Sequence, residues 1–233
     1  MSVTHAAYNP ACYTSKTLPG KGNAMKKHLA RIVSAVTLLS VTAVLAYAGG
    51  WSIITLREFP DSAIEGRPLN LTFTVRQHGV TLLTGLQPVV HAGAGSTDLK
   101  AAAKATKNPG EYSASIVLPS AGTWTVRIDG GFNPEDKTRV YNSVTMPPLV
   151  VNRADTPGTP MSHETRGSRL FVSKGCVGCH AAGSDNDVTK KKLAGDYLRR
   201  FLADPSIRTV DMPNLALSDN EIGALVAFLT PSN

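Results

Sequence analysis

Two cysteines and a histidine stand close together in the C-terminal third of the chain. Cys176 and Cys179 are three positions apart, and His180 follows the second cysteine directly. Two thiols at this spacing can each add to one of the two vinyl groups on one edge of a porphyrin, and the adjacent imidazole can then bind the iron. The C-x-x-C-H spacing therefore predicts the covalent attachment of one haem c, with His180 as an axial ligand of the haem iron.

Two other chemistries use a C-x-x-C pair. A structural zinc ion would need two further Cys or His ligands at matching spacing, and the only other cysteine, Cys12, lies far upstream. A redox dithiol of the thioredoxin kind belongs to a βαβ context, which the surrounding sequence does not indicate. Haem attachment is the interpretation that we favour.

A second axial ligand is expected from a later segment. Met212 lies 32 residues after His180, and the neighbouring Pro213 stiffens the loop. A thioether is a soft ligand that favours ferrous iron and raises the reduction potential. We predict Met212 as this ligand. The alternative is that Met212 fills a gap in the core, and His163 would compete for the iron only if Met212 does not bind.

Haem c is attached outside the cytoplasm in bacteria, so an export signal is expected. Residues 26–31 form a basic region, residues 32–45 are apolar and uncharged, and Ala46-Tyr47-Ala48 is typical of a cleavage site. Residues 25–48 are therefore predicted as a Sec signal peptide, and residues 1–24 as an upstream mis-start or a disordered extension. An uncleaved signal would anchor the chain to a membrane, although the apolar run is shorter than the roughly 20 residues of a spanning helix.

The formal charge of +7 is concentrated near the N-terminus. Residues 1–48 contain five of the 24 Lys and Arg residues and none of the 17 Asp and Glu residues, so residues 49–233 carry 19 basic and 17 acidic side chains. Nucleic-acid binding needs a clustered basic surface, so no nucleic-acid partner is expected. Residues 190–192, three consecutive lysines, are typical of a solvated patch, or they could steer an acidic redox partner.

Composition divides residues 49–233 into two parts. Short runs of alternating apolar and polar residues, separated by Gly- and Pro-containing turns, predict an immunoglobulin-like β-sandwich of about seven antiparallel strands over residues 49–151. The clearest run is 69–75, whose odd-numbered residues are all apolar. Residues 152–162 contain two prolines and a glycine and are predicted as an exposed linker.

Residues 163–233 are predicted to be all-α. One helix is expected over residues 163–174 and another, amphipathic, over residues 195–203, where Pro205 follows. Ser218 and Glu221 have the spacing of a capping box, which predicts the start of a last helix. The predicted fold is thus multidomain, with an all-β sandwich followed by an all-α region.

Apolar, glycine and proline positions surround the haem motif and Met212 in a specific order. They are Gly167, Leu170, Phe171, Gly175, Tyr197, Leu198, Phe201, Leu202, Asp204, Pro205, Pro213, Leu217, Ser218, Glu221, Ile222, Leu225, Val226, Phe228 and Leu229. With these residues, the segment 164–230 resembles a small class I cytochrome c. The resemblance covers about a third of the chain and implies His180/Met212 ligation, electron transfer, and first and last helices that cross near Gly167 and Phe171. The His–Met spacing is short for that family, which implies a trimmed loop beneath the propionates.

The sandwich region also resembles a family. Its residues 68–73, 110–112, 118–119 and 122–124 are similar to those of the YtkA-like or FixH-like periplasmic domains. This resemblance implies a periplasmic location and a respiratory context.

These features together predict an exported, periplasmic or extracytoplasmic monohaem cytochrome. It would not be an enzyme itself, and it would transfer one electron at a time in a respiratory chain. The sandwich would dock it to redox protein partners such as a membrane respiratory complex. Two alternatives stay open: a structural or assembly subunit of a respiratory oxidase, and a haem sensor or peroxidase-like site from which Met212 leaves.

The sandwich region contains three further candidate metal ligands. His78, His91 and Met146 could bind copper together, but two histidines at unrelated positions are more typical of surface polar residues. Met146 stands before two prolines and is expected to close the sandwich.

Overall fold

A computed structural model of the chain describes residues 52–131, 143–156, 158–207 and 212–230. The predicted signal peptide (25–48) and the segment 1–24 lie outside the described residues. In the described part, an N-terminal β-sandwich is followed by a small region of four α-helices. Residues Gly49–Asn233 form one compact unit. No α-helix in the described ranges is both long enough and apolar enough to cross a bilayer.

The described part of the sandwich contains eleven strands. They are β1 (Ser52–Leu56), β2 (Ser62–Ile64), β3 (Pro68–Gln77), β4 (Thr81–Leu82), β5 (Val89–Ala94), β6 (Thr97–Ala102), β7 (Lys104–Ala105), β8 (Glu111–Val117), β9 (Gly122–Asp129), β10 (Ser143–Thr145) and β11 (Leu149–Asn152). One sheet has the order β1-β3-β8-β7 with β4 beside β3, and the other has the order β2-β11-β9-β5-β6 with β10 beside β9.

The structure differs from the predicted sandwich in two ways: it has more strands than the expected seven, and one strand pair is parallel although antiparallel strands were predicted. The four strands β2, β4, β7 and β10 are only two or three residues long, which is too short to produce an alternating pattern in the sequence. The pair β2–β11 is parallel, with Ser62 opposite Val150. The short strands and this parallel pair become visible only when the backbone pairing is known.

Alternating side chains build the sandwich core between the two sheets. On β3, the predicted face of Leu69, Leu71, Phe73 and Val75 is buried. Trp124 is also fully buried, and its indole N–H donates to the Ser120 carbonyl at 3.0 Å, which satisfies the one polar group that the ring brings into the core.

The helical region consists of α1 (His163–Ser173), α2 (Val177–His180), α3 (Gly195–Ala203) and α4 (Asp219–Leu229), with a 3₁₀ turn at Pro205–Ile207. The predicted capping box is confirmed: Ser218 Oγ accepts from the Glu221 amide at 3.4 Å, and Glu221 Oε2 accepts from the Ser218 amide at 2.9 Å. Helices α1 and α4 pack closely, with the Phe171 and Phe228 ring centroids 5.6 Å apart. Helix α2 follows α1 closely in the chain, with Cys176 as its N-cap residue and Cys179 within it.

Candidate haem-binding site

A cavity of about 520 Å³ lies between the helical region and the edge of the sandwich. All four predicted ligand residues, Cys176, Cys179, His180 and Met212, line this cavity. Its volume falls within the roughly 300–1,000 Å³ of sites that hold small molecules and cofactors. Residues that are up to 36 positions apart in the sequence are therefore brought together around one space.

Most of the cavity wall is apolar. The aromatic and aliphatic lining that comes from the helical region includes Phe171, Val188, Leu193, Tyr197, Leu198, Phe201, Leu202, Leu215, Leu225 and Leu229. The rings of Tyr197 and Phe201 lie on one face of α3 and stack with centroids 6.0 Å apart and planes at 9°. Such a wall suits a large planar apolar group and limits the contact of water with a group bound there.

The imidazole of His180 is oriented by a backbone carbonyl. Its Nδ1 lies 2.8 Å from the carbonyl oxygen of Asn186. Because a carbonyl oxygen only accepts hydrogen bonds, Nδ1 is the donor in this contact, and in the neutral imidazole the lone pair is then on Nε2. This is the arrangement that fixes the ring and the tautomer of a metal-binding histidine.

Asp187 braces the loop that supplies this carbonyl. Its Oδ2 accepts from the Gly183 amide at 2.8 Å, and its Oδ1 accepts from the Thr189 amide at 3.0 Å and from Thr189 Oγ1 at 2.6 Å. The side-chain hydrogen bond from Thr189, followed by that of the Gly183 amide, lowers the pKa of Asp187 to about 2. The charged carboxylate therefore holds both ends of the segment that contains Asn186.

The replacement Asp187→Ala should loosen this loop. The Gly183 and Thr189 amides lose their acceptor, so we expect their hydrogen exchange to become at least several-fold faster at neutral pH. A carboxyl whose pKa is lowered by folding contributes stability that is present above its unfolded pKa and is lost as the pH falls through the folded pKa. In the parent chain, protection of these amides should therefore decrease from about pH 4 toward pH 2.

Asp185 offers a matched control two residues away in the same loop, where its side chain is exposed. Asp185→Ala should leave the exchange of both amides and its pH dependence unchanged. Equal acceleration in the two variants would mean that the loop is not held by the Asp187 carboxylate.

The two thiols are free and at least partly buried. Burial raises the pKa of Cys176 to about 12, and burial also raises the pKa of Cys179. A catalytic redox dithiol is usually characterised by a lowered pKa that exposes a thiolate near neutral pH. The surroundings of Cys176 and Cys179 instead keep both sulfurs protonated, next to an apolar cavity.

The other candidate ligands lie elsewhere. His163 is not among the residues that line the cavity, nor is Met161 of the linker, and Met146 is buried in the sandwich core as expected. His78 follows β3 in one sheet, whereas His91 belongs to β5 of the other sheet and pairs with Asp129 at 2.9 Å. Across the described ranges, no group of three or more His, Cys, Asp or Glu side chains could hold a metal ion.

Sequence reasoning missed the part of the cavity wall that comes from the sandwich. Ile53 and Thr55 of β1 and Gly79 of the turn after β3 line the cavity together with Lys174. The sequence does contain a signal for this role, because Ile53 and Ile54 are adjacent apolar residues in one strand. Successive side chains of a strand point to opposite faces, so two adjacent isoleucines indicate a strand that is covered on both sides.

Comparisons with known proteins describe the sandwich at a coarse level. No family model matches the chain, and no curated protein matches it. Among solved structures, it is similar to a glycoside hydrolase from Bacteroides vulgatus (12% identity, TM-score 0.30, 42% of this chain and 17% of that one). It is also similar to the Lin-41 filamin domain (13%, 0.32, 45% and 95%) and to the PKD domain of human SorCS2 (12%, 0.28, 46% and 76%).

The filamin and PKD neighbours are each similar to less than half of this chain. Their TM-scores are low, so the assignment of a two-sheet sandwich here is based on the strand pairing itself. The chain spans about a sixth of the length of the glycoside hydrolase, 17% of that chain. The similarity of residues 164–230 to a class I cytochrome c stays a prediction from the sequence.

Proposed function

We propose that this chain is an exported electron-transfer protein with one covalently bound haem c. Cys176 and Cys179 would hold the group through thioether bonds, and His180 and Met212 would bind its iron. The observation that carries the proposal is that these four residues, selected from the sequence by type and spacing, line one cavity with mostly apolar walls. A haem supplies one-electron chemistry when it is bound, since its iron moves between ferric and ferrous states.

The chain's own residues have separate tasks in this proposal. Cys176 and Cys179 would each supply a thiol for a covalent thioether link to the group. His180 would bind through Nε2, because Nδ1 donates its proton in a hydrogen bond to the Asn186 backbone carbonyl. Met212 would supply a thioether sulfur, which raises the reduction potential. The apolar wall excludes water, which keeps both ligands in place during electron transfer.

Export and partners extend the same proposal. The signal-like segment 25–48 would direct the chain to the periplasm, where haem c is attached. Redox protein partners, among them a membrane respiratory complex, would exchange electrons with the bound haem. The three lysines at 190–192 are exposed, and Lys191 also lines the cavity, which supports encounter with an acidic partner surface.

The first experiment is to express the full chain with its signal in a bacterial host that attaches haem to c-type cytochromes. The mass of the exported protein is then measured by mass spectrometry. We expect one haem per chain that stays bound in denaturant. We also expect a low-spin spectrum, with a Met–iron charge-transfer band when oxidised and no change with carbon monoxide when reduced.

Two results would contradict the proposal in different ways. An exported chain with the mass of the bare polypeptide would exclude haem attachment. A haem-loaded chain that is high-spin or binds carbon monoxide readily would instead favour the sensor or peroxidase-like alternative, because its iron would have an open position.

A further inference from the structure

Strand β1 is buried on both of its faces. Ile54 and Leu56 point into the sandwich core. Ile53 and Thr55, on the other face, are nevertheless 9% and 8% exposed. An edge strand of a sandwich ordinarily presents its outer face to solvent, so another element must cover this one.

The covering element is the segment 175–178, which runs from the end of α1 into α2 and lies beside both cysteines. A Cβ atom at Gly175 would lie 2.4 Å from Ile53 Cγ2, and one at Gly178 would lie 3.0 Å from Ile53 Cγ1. Gly175 also has a φ of +78°, a conformation that residues with a side chain rarely adopt. The absence of side chains at positions 175 and 178 thus lets the backbone beside Cys176 and Cys179 lie directly on Ile53.

Polar contacts hold the same two elements together. Thr55 Oγ1 donates to the Lys174 carbonyl at 3.4 Å, and Lys174 Nζ donates to the Arg57 carbonyl at 2.7 Å. The same ammonium group pairs with Glu221 of α4 at 2.7 Å, although the Lys174 side chain is only 6% exposed. A buried cation with two partners is costly to displace. Lys174 therefore links three parts of the structure: β1 with the residue after it, the end of α1, and α4.

We infer that β1 is a structural wall of the cofactor cavity, and that Ile53 is a positioning residue that sets the reduction potential of the group held there. The inference rests on the proposed haem site and goes beyond it, because it assigns to the sandwich a task inside the site and not only on the surface. Oxidation adds one positive charge to the iron, and exclusion of water disfavours the more highly charged form. Ile53 therefore favours the reduced state by keeping water from the cysteine side of the cavity.

The test compares two adjacent isoleucines that point in opposite directions. Ile53→Ala and Ile54→Ala delete the same atoms, but only the first deletion opens the cavity wall. Ile53→Val and Ile54→Val repeat the comparison with a smaller deletion, in case an alanine variant does not fold. The midpoint potential and the charge-transfer band of each haem-loaded full chain are measured, and unfolding is followed separately.

We expect a shift to lower potential in the Ile53 variants, larger for Ala than for Val, with the charge-transfer band retained. The Ile54 variants should unfold more easily and keep the parent potential. The inference is overturned if haem-loaded Ile53 variants keep the parent potential, or if the Ile54 variants shift it equally. A parent chain without haem would instead refute the proposed function, and this inference with it.

Discussion

In the proposed haem protein, Met212→Ala should produce a site that binds carbon monoxide. Met212 lines the cavity on the loop before α4, and alanine has no atom that can reach a metal from that backbone position. We expect loss of the charge-transfer band, binding of carbon monoxide to the reduced protein, and a lower midpoint potential. The fall should be on the order of 0.1–0.2 V, a fraction of the about 0.8 V range over which axial ligands set haem potentials.

Met161 supplies the matched control for this variant. It is partly buried at the end of the linker and is not among the residues that line the cavity. Met161→Ala should therefore keep the parent spectrum, the parent potential and the indifference to carbon monoxide. A Met212→Ala protein with an unchanged potential and spectrum would mean that Met212 only fills a gap in the core, and that another residue completes the coordination.

The pattern of the sequence was enough to predict local structure wherever a local rule applies. The alternation of apolar and polar residues over 69–75 predicted the buried face of β3. The spacing of Ser218 and Glu221 predicted the capping box of α4. Helix α3 has the predicted bounds, Gly195–Ala203, because Pro205 prevents its continuation. Each of these features depends on residues within a few positions of one another.

Features that depend on distant backbone atoms could not be predicted in this way. The carbonyl of Asn186 orients His180 whatever side chain residue 186 carries. The contact of Ile53 with the segment 175–178 joins parts of the chain more than 100 positions apart. The C-x-x-C-H spacing predicts candidate ligands because covalent haem attachment restricts that spacing. No comparable sequence rule restricts which residues pack to form a cavity wall.

Gly167→Ala should destabilise the helical region severely. A Cβ atom at this position would lie 2.0 Å from the Ala224 carbonyl oxygen and 2.7 Å from Phe228 Cβ. The carbonyl belongs to the backbone of α4 and cannot rotate away, so α1 and α4 would have to separate. We expect a loss of about 3 kcal/mol or more in the free energy of unfolding, at the upper end of over-packing effects. For a chain of this size, the melting temperature should fall on the order of 10 °C.

Gly223 is the matched control for the contact between α1 and α4 at Gly167. It lies in α4 next to Ala224, but a Cβ atom there would meet nothing within 4 Å. Gly223→Ala should raise stability by about 0.5–1 kcal/mol, because alanine loses less backbone entropy than glycine in a helix. Chemical denaturation of the haem-loaded chains measures both variants. If Gly167→Ala were as stable as Gly223→Ala, the two helices could not be in contact at Gly167. The cavity wall that α4 supplies through Leu225 and Leu229 would then have to be placed differently.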